Sequence, residues 1–558
     1  MSGRRADRVA DLIRRNVFCR YFAAATKKPK VSTVLPTKVK SKPAVPSKTS
    51  TSVLRATSRQ RNGQGLSVPI KERANEEVEI SKADKRKGHI YDYSVRPTTY
   101  VRLAEEDGYQ VFSTYPTVTA SRIAKMTSAK EPERPRRVSM LTRDFIDDSL
   151  YNPYYGYFAR QAMIYSPEDP FEYQRYASSD EFVTEWSSSY KRYDTALARP
   201  QQASSSNSPV PADAESIPQL WHTPTELFQP YYGQALARYL LVNYLMTLYP
   251  YHDLVIYEVG GGNGTLMLNI LDYIRENHPD VFARTRYNII EISGALAQKQ
   301  VSRLQDKVVV QGYSDKVQIY NKSILDWKID VPEPCFFIAL EVFDNFAHDS
   351  IRYSHTENKP YQGYVVVNDV GDFEEHYSPE LDDLASRFLQ LRAEVLPDLN
   401  LAKIRGHPLS TSQFRRKLAT MLNPLAHDLT VAEYIPTRYL QFLDVLHKHF
   451  PEHRLLASDF TYLPDAIKGY NSPVVQTMLK KQMITIDTYM ALQGYFDIMF
   501  PTDFELAAAL YSKICGKVAS VLTHASFLEQ WADLEATTTK DGENPMLSFY
   551  QNAAFMCT

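Results

Sequence analysis

Leu254-Val-Ile-Tyr-Glu-Val-Gly-Gly-Gly-Asn-Gly-Thr-Leu-Met267 is the stretch whose reading decides the fold. Leu254, Val255, Ile256 and Val259 suit a strand covered on both faces, and Thr265 to Ile274 carries the apolar spacing of a helix packed back on it. Between them lies Glu258-x-Gly260-x-Gly262-x-Gly264. Glycine at these positions permits positive φ and lets a ligand approach the main chain, which a side chain would obstruct. A buried strand, a glycine turn and a helix predict an α/β sheet.

The spacing of the glycines selects among ligands. A dinucleotide turn, G-x-G-x-x-G, needs its third glycine where the chain has Thr265, and no Gly-Lys-Ser/Thr of a P-loop follows. The form acidic-x-G-x-G-x-G is instead the signature of class I S-adenosyl-L-methionine (SAM) methyltransferases, whose cofactor lacks a pyrophosphate and presents a methionine moiety to the turn. The alternative is a tight strand-to-helix turn with no ligand. On the first reading Glu258, Gly260, Gly262 and Gly264 bind cofactor.

Downstream, Tyr287-Asn-Ile-Ile-Glu-Ile292 reads as a second strand, and Glu291 is placed to accept hydrogen bonds from ribose hydroxyls. A solvated acid at a strand end is the competing reading. A third strand, Val317 to Tyr320, leads to Ser323-Ile-Leu-Asp-Trp327. Class I enzymes hold adenine there between an apolar side chain and a carboxylate, which makes Ile324 and Asp326 candidates; Asp326 could equally cap a helix. The fourth strand, Cys335 to Leu340, aims its carboxyl end at Glu341 and Asp344. Carboxylates there can hold a cationic methyl acceptor, and grip a guanidinium in bidentate fashion if the acceptor is an arginine, so Glu341 and Asp344 are the candidate catalytic pair. Against this, Asp344 could cap the next helix and Glu341 hold a loop. His348 is a candidate proton acceptor or a structural histidine.

The chain has 558 residues, 44% of them hydrophobic, and a formal net charge of −1, which predicts a globular body with no nucleic-acid-binding field. Cys19, Cys335, Cys515 and Cys557 are far apart with no C-x-x-C, so neither a disulfide framework nor a metal site is indicated. Val9, Leu12, Ile13 and Val17 share one helical face, with Arg4, Arg5, Arg8, Arg14 and Arg15 largely elsewhere. Residues 1–22 therefore read as a presequence for the mitochondrial matrix, with a solvated basic tail as the alternative. Residues 23–95 read as a disordered basic linker and 96–250 as a helical, aromatic N-terminal region with a mobile insertion near 166–218. Residues 251–558 are expected to form the SAM-binding core with a C-terminal helical cover, and no run approaches the roughly 20 apolar residues that span a membrane.

The motifs taken in order resemble one family. Phe145-Ile146, Tyr151-x-Pro153 and Gly156-Tyr157 are followed by Thr223-Pro-x-Glu226-Leu227 and the glycine turn. Ile290-Glu-Ile-Ser293, Glu341-Val-Phe-Asp344 and Gly494-Tyr-Phe-Asp-Ile498 complete the set. This series is similar to the MidA-like mitochondrial methyltransferases, from about residue 140 to the C-terminus. The resemblance implies a class I SAM-methyltransferase Rossmann-like sheet with added helices. It also implies a protein arginine methyltransferase acting on a mitochondrial protein, a complex I subunit among the candidates, in support of complex I assembly. Leu220-Trp-His222 stands where the family shows Gly-Asp-Phe, and Leu340 to Ala347 departs from its Asn-Glu-Phe-x-Asp-Ala-Leu-Pro. Two alternatives therefore stay open: an assembly factor that uses the fold as a binding module, and a methyltransferase for RNA or a small molecule.

Overall fold

A computed structural model describes residues 115–127, 133–160, 162–198, 219–311, 313, 315–396, 404–422, 429–479 and 482–558. Residues 1–22 and 23–95, expected above to be a presequence and a linker, lie outside them.

Seven strands build the central sheet: β1 (Leu254–Val259), β2 (Thr285–Glu291), β3 (Val317–Asn321), β4 (Cys335–Leu340), β5 (His453–Phe460), β6 (Ser520–Thr523) and β7 (Ala553–Cys557). Their order is β6-β7-β5-β4-β1-β2-β3. β7 alone runs antiparallel to its neighbours, β5 and β6; the pairs β5–β4, β4–β1, β1–β2 and β2–β3 are parallel. The apolar run of β1 is explained by burial on both faces: Leu254 and Ile256 enter one core, Val255, Tyr257 and Val259 the other.

Helices cover both faces. On one side α3 (Tyr231–Thr247) packs against α4 (Thr265–Asn277), which buries Leu266, Met267, Ile270, Leu271 and Ile274. On the other side α6 (Thr437–His449) and α7 (Phe504–Cys515) pack together and bury Leu440, Leu443, Leu446 and Leu510. The helix α5 (Gly294–Gln311) follows β2. Among the described residues no helix is long and apolar enough to cross a membrane.

Several sequence expectations change here. The boundary near 250 is not a domain boundary, because Val138–Leu141 joins a five-stranded antiparallel sheet with strands at 349–353, 360–367, 373–378 and 433–435. That sheet is inserted after β4, so the N-terminal region and the core are built together. The insertion near 166–218 is narrower than expected: helix α2 (Ser179–Ala198) buries Phe182 and Trp186 against Phe228 and Phe549. Aromatic rings at one helical turn's spacing anchor α2, while 199–218 lie outside the described residues. The C-terminal part is not only a helical cover, since β5, β6 and β7 complete the central sheet. Asp497–Met499 pairs instead with Val474–Leu479 in a separate three-stranded sheet.

Candidate functional site

The strand order reverses between β1 and β4, the place where open α/β sheets bind ligands. A cavity of about 690 Å³ lies there. Its wall contains Glu258, Gly260, Gly262, Glu291, Ile324, Asp326, Glu341 and Asp344. Of the candidate residues Gly264 and His348 are outside it; Gly264, at φ 78°, is the residue from which α4 starts.

The glycine turn is built for close approach. Gly260 and Gly262 have φ of 70° and 54°, and a Cβ on Gly262 would come within 2.9 Å of Ile164 Cδ1. Beneath the turn, Glu258 is buried and accepts the Tyr287 hydroxyl at 2.9 Å; burial pushes its carboxyl up to about 7. Glu291 ends β2, buried rather than solvated. It accepts the Ser293 N–H at 2.9 Å on Oε1 and the Gln300 amide at 3.1 Å on Oε2. Gln300 also donates to the Gly262 carbonyl at 2.9 Å, tying the turn to this acid. Burial, opposed by hydrogen bonds from Ser293, Gln300, Gly262 and Ile292, pushes the Glu291 carboxyl up to about 7. Ile324 is buried and Asp326 exposed; the cap of their 3₁₀ turn is Ser323, which accepts the Leu325 N–H at 3.2 Å, so Asp326 is not the cap.

At the end of β4 the chain turns through Glu341, whose φ is 51° and whose N–H donates to the Ser458 carbonyl at 2.8 Å. Positive φ in a glutamate costs of order 1–3 kcal/mol and persists only when its surroundings enforce it. Asp344 is buried inside the 3₁₀ turn Phe343–Asn345, where Val342 holds the cap position, so the helix-capping reading of Asp344 is overturned. The turn's amides go to a residue that the sequence reading missed: Asp459 Oδ2 accepts the N–H groups of Val342, Phe343 and Asp344 at 3.1, 2.7 and 3.2 Å. Burial, with the Glu341 charge adding to it, pushes the Asp459 carboxyl up to about 7. His348 is not a proton acceptor. It stacks on Phe500 at 3.9 Å, its Nδ1 meets the Phe346 carbonyl at 2.8 Å, and burial lowers its pKa to about 3.

Across the cavity, helix α1 (Thr142–Tyr151) presents Asp144, Asp147, Asp148 and Tyr151, the i, i+3, i+4, i+7 positions of one face. That stripe was available in the sequence and signals a functional face. Arg438 on α6 donates to Asp147 at 2.6 Å and to Asp144 at 3.0 Å, while Asp148 accepts from Tyr155 and Asn152. Burial pushes Asp147 and Asp148 up to about 6. In all, eleven carboxylates line the cavity against three basic side chains, Arg143, Lys322 and Arg438.

A strand order of 3-2-1-4-5-7-6 with the seventh strand reversed, and a glycine turn opening into a cavity at the switch point, define a class I methyltransferase. A family model for S-adenosyl-L-methionine-dependent methyltransferases matches residues 235–523, and the chain belongs to that family. SAM is accordingly its cofactor.

Among curated proteins, the chain is 25% identical over 311 residues to the mitochondrial protein arginine methyltransferase NDUFAF7 homologue of Schizosaccharomyces pombe. The match covers 54% of this chain and 64% of that protein, so it spans less than two thirds of the relative. It is 24% identical over 351 residues to the protein of the same name from Saccharomyces cerevisiae, covering 58% and 77%. Among solved structures it is similar to a Burkholderia thailandensis protein bound to S-adenosyl-homocysteine. That match has a TM-score of 0.44 and 12% identity, covering 78% of this chain and 92% of the other.

Proposed function

We propose that the chain is a mitochondrial protein arginine methyltransferase whose acceptor is a protein of the matrix, a complex I subunit undergoing assembly. The observation that carries this reading is the acidic wall of the cavity, which calls for a cationic acceptor. Two relatives named as mitochondrial arginine methyltransferases support it, as does the basic amphipathic pattern of residues 1–22.

The residues present fit SAM. Gly260 and Gly262 would meet the methionine moiety through bare backbone, Glu258 and Gly264 would shape that turn, Glu291 would accept ribose hydroxyls, and Ile324 with Asp326 would hold the adenine. SAM when bound supplies an activated methyl, so the protein's work is alignment, charge stabilisation and exclusion of water. Glu341 and Asp344 grip the guanidinium edge and fix one nitrogen toward the glycine turn. Asp459 holds the loop that carries them. The nitrogen that gains a methyl sheds a proton, and the Glu341 carboxylate takes it.

The test incubates the purified chain and methyl-labelled SAM with matrix proteins from cells lacking the gene, followed by mass spectrometry of modified residues. Methylarginine that disappears with Glu341→Gln supports the reading. Chain that binds SAM but labels nothing points to the binding-module alternative; label on RNA or a metabolite points to the other.

A further inference from the structure

Thr223-Pro-Thr-Glu226 has no assigned role, and its glutamate is in an unusual state. Glu226 lies in the short helix Pro224–Leu227, is only 2% exposed, and still forms part of the cavity wall alongside Gly260, Gly261, Gly262 and Asn263. Its two carboxylate oxygens are treated differently. Oε1 accepts the Asn263 amide at 2.8 Å and the Thr265 hydroxyl at 2.8 Å. Oε2 is buried with no hydrogen-bond partner among the described residues.

The nearby cations do not fill that gap. Lys299 Nζ donates to Asn263 Oδ1 at 2.6 Å, and Arg303 donates to the Asn263 carbonyl at 3.0 Å and to the Thr265 hydroxyl. Their hydrogen bonds brace the residues that hold Glu226, while Lys299 acts on Glu226 through space. A buried carboxylate held by two neutral donors on one oxygen and nothing on the other is a costly arrangement unless a cation arrives with the ligand.

The sheet places that cation. Candidates for adenine follow β3, the ribose acid ends β2, and the glycine turn follows β1, so the amino-acid end of SAM comes to lie over the turn. Asn263 and Thr265, the side chains clamping Glu226, belong to that turn and to the first residue of α4. We infer that Glu226 Oε2 receives the α-ammonium of SAM, with Asn263 and Thr265 fixing the carboxylate for it. The cofactor then supplies the hydrogen-bonded cation that Oε2 lacks among the described residues, and ligands without a cation at this point are disfavoured.

Calorimetry with two ligands tests this: S-adenosyl-homocysteine and its deaminated 2-oxo analogue. Glu226→Gln, nearly isosteric and able to keep the bonds to Asn263 and Thr265, should weaken S-adenosyl-homocysteine about tenfold or more. It should change the analogue by less than about twofold, and should not lower the melting temperature of the ligand-free protein. Unchanged affinity for S-adenosyl-homocysteine overturns the assignment. Equal loss of both ligands also overturns it, since Glu226 would then only shape the turn. If Glu226→Gln fails to fold, Glu226→Asp, which withdraws the charge by one methylene, must show the same selective loss. None of these readouts depends on the identity of the methyl acceptor.

Discussion

Asp459 and Phe343 are joined by a 2.7 Å hydrogen bond from the Phe343 N–H to the Asp459 carboxylate, at the centre of a three-amide cradle that also takes Val342 and Asp344. The loop carrying the proposed acceptor carboxylates is thus held from β5, a strand more than a hundred residues away in sequence. Asp459→Asn would turn an amide toward backbone N–H groups. It should lower stability by about 2–3 kcal/mol. SAM affinity, measured by calorimetry, should stay within about twofold while methyl transfer is largely lost, because the glycine turn does not depend on this cradle.

Asp344→Asn removes charge from a buried side chain that caps no helix. Methyl transfer to an arginine peptide should fall about a hundredfold or more with SAM affinity unchanged. Normal transfer by this variant would leave Glu341 as the sole grip on the acceptor and remove Asp344 from the site.

Gly262→Val sets a branched side chain at φ 54° and drives its Cβ toward Ile164. Strain of about 1–3 kcal/mol should lower the melting temperature without unfolding the protein. SAM should cause no thermal shift in the variant, because the space over the turn is filled.

Glu258, Glu291 and Asp459 are each raised to about 7, from ordinary values of 4.5, 4.5 and 3.8. Between those ordinary values and 7 the folded protein binds more protons than the unfolded chain. Their contribution to stability is therefore fully present below about pH 4 and is lost as pH rises through 7. The unliganded protein should accordingly melt lower at pH 7.5 than at pH 6, and Glu291→Gln should flatten the slope. SAM affinity should run the other way, rising with pH, because hydroxyl donors bind the ionised Glu291.

His524 lines the cavity and packs against Tyr232 and Phe555, with both ring nitrogens lacking a hydrogen-bond partner among the described residues. Burial lowers its pKa to about 3, so the imidazole is neutral and unpaired. His524→Phe keeps the stack and removes the polar atoms. Thermal denaturation should show a gain of about 1 kcal/mol or more; a loss would mean that an imidazole nitrogen is satisfied in solution.

The sequence disclosed what local pattern controls. The run Leu254 to Val259 is apolar without alternation because both faces are buried, and the glycine spacing alone separates this turn from a dinucleotide site. Glu291, Ile324, Glu341 and Asp344 could be singled out as candidates because each ends or follows a strand legible in the same way, and all four line the cavity. Asp459 was missed because Leu455, Leu456 and Ala457 suit a helix as well as a strand, and only pairing with β4 and β7 makes them β5. The antiparallel sheet was missed for a related reason: Val138–Leu141 pairs with Tyr364–Val367, a contact that no local period encodes. Gln300 was missed because a glutamine inside a helix carries no signal until its neighbours are known.

The placement of β7 between β5 and β6 makes the far edge of the sheet hostage to its final strand. Among the described residues β6 has no other strand partner, and the N–H of Thr558 is bonded to the Leu455 carbonyl at 3.0 Å. Pairing β5 with β7 closes a loop of more than ninety residues, an ordering cost that this edge of the sheet carries. Deleting 553–558 would remove one strand, release β6 and uncover one edge of β5, the strand that carries Asp459. Damage to the tail would be felt in the acceptor loop.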